Sequence, residues 1–208
     1  SGDEKFGGVG DALRFGLFQV VSIITTTGYG TADFDGWNDF GRGFLLALMF
    51  VGGCAGSTGG GLKVIRHLLF YKILRHEIER AHRPRVVRTI RVGGATLDDP
   101  ELAHSIVVYF SMILGILIFS WLLLISFEPD QTWGSGDSPT DQKLIDAISA
   151  VSATLNNIGP GLGVVGPTQN YAGFSQPAKL LFTWLMMLGR VEVFSVLVLF
   201  FPTFWRRV

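Results

Sequence analysis

The chain has 208 residues, of which 48% are hydrophobic and 16% are charged, and its formal net charge is zero. Soluble domains usually carry about 25% charged residues, so this composition favours a membrane protein in contact with a lipid bilayer. The neutral balance gives no sign of nucleic-acid binding, and we expect no nucleic-acid partner. Cys54 is the single cysteine, which excludes an internal disulfide.

The N-terminal half contains one short apolar segment and one broken segment. Residues 12–25 extend for about three helical turns, which is too short to cross a bilayer core of ~30 Å. A second segment begins at residues 41–51, is interrupted at residues 52–61, and resumes at residues 62–74. The first is predicted to be a re-entrant helix, and the second a span with a break near its middle.

The C-terminal half contains two predicted spans separated by another short segment. Residues 103–127 carry no Lys, Arg, Asp or Glu, and residues 177–205 form a second long apolar segment. Between them, residues 144–155 are again about three helical turns long and lead into a glycine-rich turn. This segment is predicted to be a second re-entrant helix.

The positive charges lie on one side of the predicted spans. Nine Lys and Arg residues lie between positions 63 and 91 and two lie at positions 206 and 207, whereas the connections 31–40 and 128–142 contain none. The positive-inside rule therefore predicts that the basic segment and the C-terminus are cytoplasmic and that both short helices enter from outside. A solvated helix face without a partner is an alternative role for the basic segment.

The two halves resemble each other at a fixed offset of 131 residues. Leu13 aligns with Leu144, and Gly28 aligns with Gly159. Each copy reads as a short apolar helix, a polar turn with two glycines, an outer loop and an inward-crossing helix, which is the pattern of a repeat architecture. The second copy has an outward-crossing helix before it and the first does not, so we expect that a longer chain was cut upstream.

The first turn, residues 25–30, reads Thr-Thr-Thr-Gly-Tyr-Gly. Backbone carbonyls can replace the hydration shell of a cation where glycine permits the needed backbone angles, and threonine adds a hydroxyl at the inner end. The preceding helix directs the negative end of its dipole at the same point. The string differs by one residue from the Thr-Val-Gly-Tyr-Gly filter of tetrameric potassium channels; an ordinary hairpin turn is the alternative.

The second turn, residues 156–163, reads Asn-Asn-Ile-Gly-Pro-Gly-Leu-Gly. By itself this string is typical of a surface loop. Its position after the second short helix, at the same offset from the first turn, predicts instead that it is a second filter strand.

The glycine-rich break at residues 52–61 cannot hold a stable helix, because six of its ten residues are glycine. It could permit close helix packing, or it could form a flexible barrier beneath the filter. Gly56 and Gly61 have the spacing of a phosphate-binding loop, but Leu62 stands where that motif needs Lys, so we reject this interpretation.

Arg190 is a buried-charge candidate, because it lies 13 residues past Pro177, or ~20 Å along a helix. An ionisable residue at that depth is expected to face a watery cavity or a partner. The offset of 131 places Gly59 opposite Arg190, which predicts that the loop and the arginine lie at similar depth. We hypothesise that they form a closed gate together; an ion pair with Glu192 or an upstream carboxylate is the alternative.

Several of these pieces together resemble the bacterial Trk/Ktr potassium-uptake superfamily, and its TrkH branch most closely. They are residues 25–30 with Trp37, residues 52–63, residues 156–163 and residues 188–192. In that family one polypeptide carries four helix–pore-loop–helix repeats around one pore. The resemblance extends over essentially the whole chain.

The resemblance implies an all-α membrane protein of the potassium-channel type with pseudo-fourfold repeats, of which two are present and one is incomplete. Residues 1–75 would be the third repeat, with pore helix, filter and broken second helix. Residues 76–102 would be a cytoplasmic basic connection, and residues 103–208 a complete fourth repeat.

The resemblance also implies the site residues. The filter would comprise Thr26, Thr27, Gly28, Tyr29, Asn157, Ile158, Gly159 and Pro160. Potassium would bind at Thr26, Thr27, Gly28, Asn157, Ile158 and Gly159. The gate would comprise Gly52, Gly53, Gly56, Ser57, Thr58, Gly59, Gly60, Gly61 and Arg190.

The expected function is potassium uptake across the bacterial inner membrane, with potassium ions in the filter and no covalent cofactor. The family implies a homodimer, a cytosolic nucleotide-binding regulatory subunit of the TrkA type, and the upstream half of the same polypeptide as partners. The chain is not expected to be an enzyme; a membrane-embedded enzyme and a non-conducting membrane scaffold are the alternatives. Selectivity for potassium over sodium, the choice between channel and symport, and the regulatory nucleotide stay open.

Overall fold

The computed structural model describes residues 8–54, 56–57, 59–82, 90–92, 95–97, 100–133, 139–191, 196, 198 and 205. The helices of this part are α1 (Val9–Ile24), α2 (Asp39–Leu48), α3 (Val64–His82), α4 (Pro100–Phe127), α5 (Pro139–Leu155) and α6 (Gln176–Val191). Single turns of tighter helix are found at Phe34–Gly36, Asp130–Trp133, Gly163–Val165 and Tyr171–Gly173. The chain is predominantly helical, as predicted.

A short β-hairpin interrupts the helical pattern. Strand β1 (Ile90–Val92) pairs antiparallel with β2 (Ala95–Leu97), and Arg91 lies opposite Thr96. The hairpin lies inside the predicted basic connection, residues 76–102, for which no strand was predicted. A two-stranded hairpin this short is only marginally stable by itself in water.

The helix that precedes each glycine-rich turn is shorter than a bilayer core. α1 has 16 residues and α5 has 17, which corresponds to about 24–26 Å at 1.5 Å per residue. α4 is longer, and its segment His104–Phe127 is long and apolar enough to cross a membrane. The predicted difference in length between short and spanning helices is therefore present in the fold.

The predicted break in the second apolar segment separates α2 from α3. α2 ends at Leu48 after only ten residues, and α3 begins at Val64. Two backbone hydrogen bonds close the base of the intervening loop: Gly52 N–H donates to the Leu62 carbonyl at 2.8 Å, and Val64 N–H donates to the Gly53 carbonyl at 3.1 Å. These bonds hold the two ends of the loop, between α2 and α3, close together.

α3 extends past its predicted far end, and α6 begins where it was predicted to begin. α3 continues past residue 75, where the third repeat was expected to end, as far as His82. α6 begins at Gln176, next to the predicted start, and is described to Val191. Glu192, the alternative partner of Arg190, lies outside the described residues.

The buried side chains form two apolar clusters. The larger one packs α4, α5 and α6 together around residues such as Leu117, Val151 and Phe182. The smaller one contains Ile23 from the end of α1, together with Leu45, Met49, Ala153, Ile158 and Leu162. Because the smaller cluster combines residues from both copies, it holds the two glycine-rich turns beside each other.

Candidate functional site

The two glycine-rich turns share an unusual backbone conformation. Thr26 and Asn157, which are 157 − 26 = 131 positions apart, have positive φ angles of 54° and 56°. Gly28 and Gly159, at the same offset, have φ angles of 75° and 108°. Positive φ is uncommon for residues other than glycine. The offset found in the sequence therefore corresponds to a repeated backbone path.

The hydrogen bonds that end the two short helices repeat at the same offset. Thr27 N–H donates to the Ser22 carbonyl at 2.9 Å, and Ile158 N–H donates to the Ala153 carbonyl at 2.9 Å. In both copies this bond reaches back five residues, one more than in an α-helix. The chain leaves both helices in the same direction.

Gly28 is required for two reasons. Its φ of 75° favours glycine. In addition, a Cβ placed on Gly28 would lie 2.1 Å from the Ile158 carbonyl oxygen, so the two turns are in direct contact there. Gly159 has only the first reason, because a Cβ added to it would meet no atom within 4 Å in the described residues. The pseudo-symmetry is therefore inexact.

Side-chain hydroxyls donate hydrogen bonds to the backbone carbonyls of two predicted filter residues, Tyr29 and Gly159. The Ser22 hydroxyl donates to the Tyr29 carbonyl at 2.7 Å, and the Tyr171 hydroxyl donates to the Gly159 carbonyl at 2.8 Å. Burial raises the pKa of the Tyr171 phenol above its usual value, so the hydroxyl stays protonated and able to donate. Sequence reasoning missed Tyr171, because nothing in its local pattern points twelve residues back to Gly159.

Two carboxylates brace the connection that follows the second turn. Asp35, from the first copy, accepts from Gly163 N–H at 2.9 Å, and Asp146, from α5, accepts from Val164 N–H at 3.2 Å. Gly163 has a φ of 62° and is packed against Asp146, which leaves no room for a Cβ. Arg42 Nε lies 3.7 Å from Asp35. Asp35 thus connects the segment after the first turn to the segment after the second turn.

The glycine-rich loop between α2 and α3 presses against the inner ends of both turns. Gly60 N–H donates to Thr26 Oγ1 at 3.3 Å. A Cβ on Gly60 would lie 2.7 Å from Asn157 Cβ, and one on Gly61 would lie 2.8 Å from Asn156 Oδ1. These approaches explain why glycine is needed here. Thr58, also predicted to belong to the gate, lies outside the described residues.

Lys63 holds the loop from its other side. Its Nζ donates to the Ser57 carbonyl at 2.6 Å and to the Gly59 carbonyl at 2.8 Å. An ammonium group that binds two carbonyls makes charge-assisted hydrogen bonds, which are stronger than neutral ones. In the sequence, Lys63 counted as a topology marker and as the end of the segment 52–63 that resembles the family. Its contact with the loop was not predicted, because that contact depends on the fold of the loop.

Arg190 lines the same cavity as the loop. This cavity has a volume of about 380 Å³ and is lined by Gly56, Ser57, Gly59, Gly61, Lys63, Tyr109, Gly189 and Arg190. Two cationic side chains, Lys63 and Arg190, therefore border one space beneath the turns. The structure brings the predicted arginine and the predicted loop together.

The offset that suggested this proximity does not extend to α2 and α6, the helices that follow the two turns. Fifteen residues separate Gly161 from the start of α6 at Gln176, but only nine separate Gly30 from the start of α2 at Asp39 (176 − 161 = 15; 39 − 30 = 9). Counted from the helix starts, the offset is 176 − 39 = 137 residues. The connection between the turn and the next helix is thus six residues longer in the second copy.

α6 contacts the second turn just before Arg190. The Asn157 side-chain amide donates to the Met186 carbonyl at 3.1 Å. A Cβ on Gly189 would lie 1.8 Å from the Leu155 carbonyl oxygen and 2.6 Å from Asn157 Nδ2, so α5 and α6 cross there at a distance that only glycine permits. α6 and the second turn are therefore packed against each other directly before Arg190.

Known proteins resemble this chain over nearly its whole length. The chain matches the family model described as TrkH, cation transport protein, over residues 7–207. It is 41% identical over 194 residues to the Trk system potassium uptake protein TrkH of Salmonella typhimurium, which covers 93% of this chain and 37% of that protein. It is 31% identical over 190 residues to the Trk system potassium uptake protein TrkG of Escherichia coli, with 91% and 36% covered.

A solved structure shows the same fold. The crystal structure of the potassium transporter TrkH from Vibrio parahaemolyticus matches with a TM-score of 0.81 and 40% identity, over 97% of this chain and 40% of that chain. The chain therefore spans well under half the length of the relatives it matches.

Proposed function

The chain belongs to the TrkH family of cation transport proteins, and on that premise we propose that it supplies part of a potassium pathway across the bacterial inner membrane. Its relatives are named as potassium uptake proteins. The prediction that the chain is not an enzyme is confirmed by this membership.

The observation that carries the proposal is the repeated backbone of the two turns. The carbonyls of Thr26, Thr27, Asn157 and Ile158 are the proposed ion ligands, with Gly28 and Gly159 as the filter glycines. The two turns have positive φ angles at matching positions, and they contact each other. This arrangement supports a ring of carbonyl ligands around one axis, to which each turn contributes. Tyr29 and Pro160 follow at the outer end.

Two strands make half of such a ring, so the proposal needs the upstream half of a longer polypeptide to supply the rest. Exposed apolar side chains on α4, such as Leu114, Phe119 and Leu122, suit lipid or that missing half. A homodimer, a TrkA-type cytosolic regulatory subunit and a cytoplasmic C-terminus belong to the same proposal, on the basis of the family and the positive charges.

The loop at residues 52–61 and Arg190 are proposed to form the gate. The loop touches the inner ends of both turns, and Arg190 lines the cavity on its other side. A cation that leaves the filter inward would meet the Lys63 and Arg190 charges there, and like charges repel each other. Close helix packing for the loop and a structural ion pair for Arg190 are the competing roles.

The filter is tested by rubidium uptake through the full-length parent protein in cells that lack their own potassium uptake. Gly28→Ala is compared with Gly43→Ala, because Gly43 lies in α2 and no atom of the described residues comes within 4 Å of a Cβ added there. We expect uptake that potassium competes away in the parent and in Gly43→Ala. We expect uptake to fall at least about tenfold in Gly28→Ala, since the added methyl meets the Ile158 carbonyl.

Membrane abundance and elution of both purified variants show whether the loss reflects misfolding. Uptake by Gly28→Ala equal to that of the parent would contradict the proposal that Gly28 is a filter glycine. Uptake that potassium does not compete would indicate another ion, and no uptake even with the regulatory subunit supplied would favour the scaffold. The gate is tested with Arg190→Ala: flux that is unchanged both with and without the regulatory subunit would exclude a gating role for this side chain.

A further inference from the structure

Thr26 occupies a backbone conformation that its side chain disfavours. Its φ is 54°, in the left-handed region, where a β-branched residue is a genuine outlier. Asn157, at the matching position of the second turn, is a residue type that tolerates this region. Strained residues of this kind persist where the surrounding structure imposes them, and they concentrate at functional sites. Backbone preference therefore does not explain a threonine at position 26.

The hydroxyl of Thr26 faces the glycine-rich loop. Its Oγ1 accepts the N–H of Gly60 at 3.3 Å, across 34 positions of sequence. A Cβ on Gly59 would lie 3.1 Å from the same oxygen. The neighbouring hydroxyls point elsewhere: Thr25 and Thr27 are hydrogen bonded to each other at 2.8 Å. Of the hydrogen bonds described for these three threonines, the one at Thr26 joins the turn to the loop.

The same oxygen stands at the inner end of the proposed filter. Hydroxyl oxygens are suitable ligands for a desolvated cation, as carbonyl oxygens are. A cation bound beside Oγ1 would lie close to the Gly60 N–H, whose hydrogen carries partial positive charge, and the two would repel each other. Loop contact and ion binding at this oxygen therefore oppose each other.

We propose that Thr26 Oγ1 alternates between two partners, the Gly60 N–H when the loop is closed and a potassium ion when the loop has withdrawn. Thr26 is then a positioning residue for the gate as well as a contributor to the filter, and the inference rests on the proposed function of the turns and the loop. Because two competing ligands change each other's affinity equally, potassium at the inner site favours the open loop, and the closed loop weakens potassium there.

Cys54 provides a natural reporter of loop position, because it is a free, exposed cysteine inside the loop region. The experiment uses the full-length parent, with any cysteine outside this chain replaced, in inside-out membrane vesicles. The rate of Cys54 modification by a membrane-impermeant thiol reagent is measured at low and at high potassium. The variants are Thr26→Val, which keeps the shape and removes the hydroxyl, and Thr26→Ser, which keeps the hydroxyl.

We expect potassium to speed the modification of Cys54 in the parent and in Thr26→Ser. Thr26→Val should react about fivefold faster than the parent at low potassium and should no longer respond to potassium, in line with the loss of one hydrogen bond. Thr26→Ala replaces Thr26→Val if the latter does not accumulate in the membrane. A Thr26→Val or Thr26→Ala rate equal to that of the parent, or a parent rate that ignores potassium, overturns the proposal.

This measurement does not depend on transport. The filter proposal stands or falls on rubidium uptake by Gly28→Ala, whereas the role of Thr26 stands or falls on the reactivity of Cys54. Failure of one is therefore distinguishable from failure of the other.

Discussion

The Asn157 side chain donates a hydrogen bond to the Met186 carbonyl at 3.1 Å, which fastens the second turn to α6 four residues before Arg190. Asn157 also adopts a left-handed φ of 56°, and a Cβ on Gly60 would lie 2.7 Å from its own Cβ. One residue therefore contacts the helix that carries the arginine and the loop proposed as the gate. A movement of α6 would therefore displace the second turn through this hydrogen bond.

Replacing Asn157 separates its side-chain bond from its backbone conformation. Asn157→Gly loses the bond to Met186 but keeps a residue that adopts positive φ freely. Asn157→Ala loses the bond and also places alanine in a disfavoured region, so its free energy of unfolding should fall by about 1–2 kcal/mol more. The apparent Tm of the purified full-length variants should follow that order, and an alanine variant at least as stable as the glycine variant would contradict the assignment.

Gly189 tests the close crossing of α5 and α6. A Cβ at Gly189 would lie 1.8 Å from the Leu155 carbonyl oxygen, so Gly189→Ala must push the helices apart. We expect a loss of about 1–3 kcal/mol in stability, as overpacking usually causes, and reduced rubidium uptake. Gly115→Ala is the matched control, because a Cβ at Gly115 in α4 meets nothing within 4 Å in the part of the chain that the structure describes. Equal apparent Tm values for the two variants would show that α6 moves away from α5 without loss of stability.

Local signals in the sequence predicted most of the fold. Apolar runs of different length distinguished the short helices α1 and α5 from the spanning helix α4, and the cluster of glycines predicted the break between α2 and α3. These features depend on composition within a few residues, which a single chain displays directly. The β-hairpin at residues 90–97 was not predicted, because its strands are three residues long and carry no sustained alternation.

The candidate site was predicted less completely, because its side-chain contacts are made at a distance. Lys63 reaches back into the loop, Tyr171 reaches Gly159, and Asp35 reaches Gly163 across 128 positions. Such contacts exist only after the elements have packed. The longer outer connection of the second copy also broke the offset that had paired Gly59 with Arg190, although both line one cavity.

Lys63 should stabilise the closed position of the loop. Lys63→Gln removes the ammonium that donates to the Ser57 and Gly59 carbonyls, and hydrogen bonds from charged groups contribute about 1.5–3 kcal/mol. We expect rubidium uptake without the regulatory subunit to rise several-fold.

Arg75→Gln is the control for Lys63→Gln. It removes one positive charge from α3, the helix that begins directly after Lys63, where Arg75 forms an exposed pair with Glu79 that contributes little. Arg75→Gln should therefore behave like the parent protein. If both variants raised uptake equally, the effect would come from net charge and not from the loop.

Tyr171 should hold the second turn in shape through its hydroxyl. Tyr171→Phe keeps the ring contacts with Phe174 and Phe182 and removes the hydrogen bond to the Gly159 carbonyl. We expect folding to be preserved and the preference for potassium over sodium, measured by competition against rubidium uptake, to fall about fivefold, as the loss of one hydrogen bond at an ion site implies. Tyr71→Phe, at an exposed tyrosine of α3, is the matched control.

The pH dependence of the Tyr171→Phe effect separates the hydroxyl from the ring. Burial raises the pKa of Tyr171 above its ordinary value of 10.0, so the phenol is protonated in the folded protein wherever an exposed tyrosine would be. The hydrogen bond is therefore fully present at about pH 10 and below, and it is lost only as the pH rises through the raised pKa of Tyr171. The difference between parent and Tyr171→Phe should be constant from about pH 6 to about pH 9. A difference that disappears within this range would mean that another group, and not the Tyr171 hydroxyl, supports the Gly159 carbonyl.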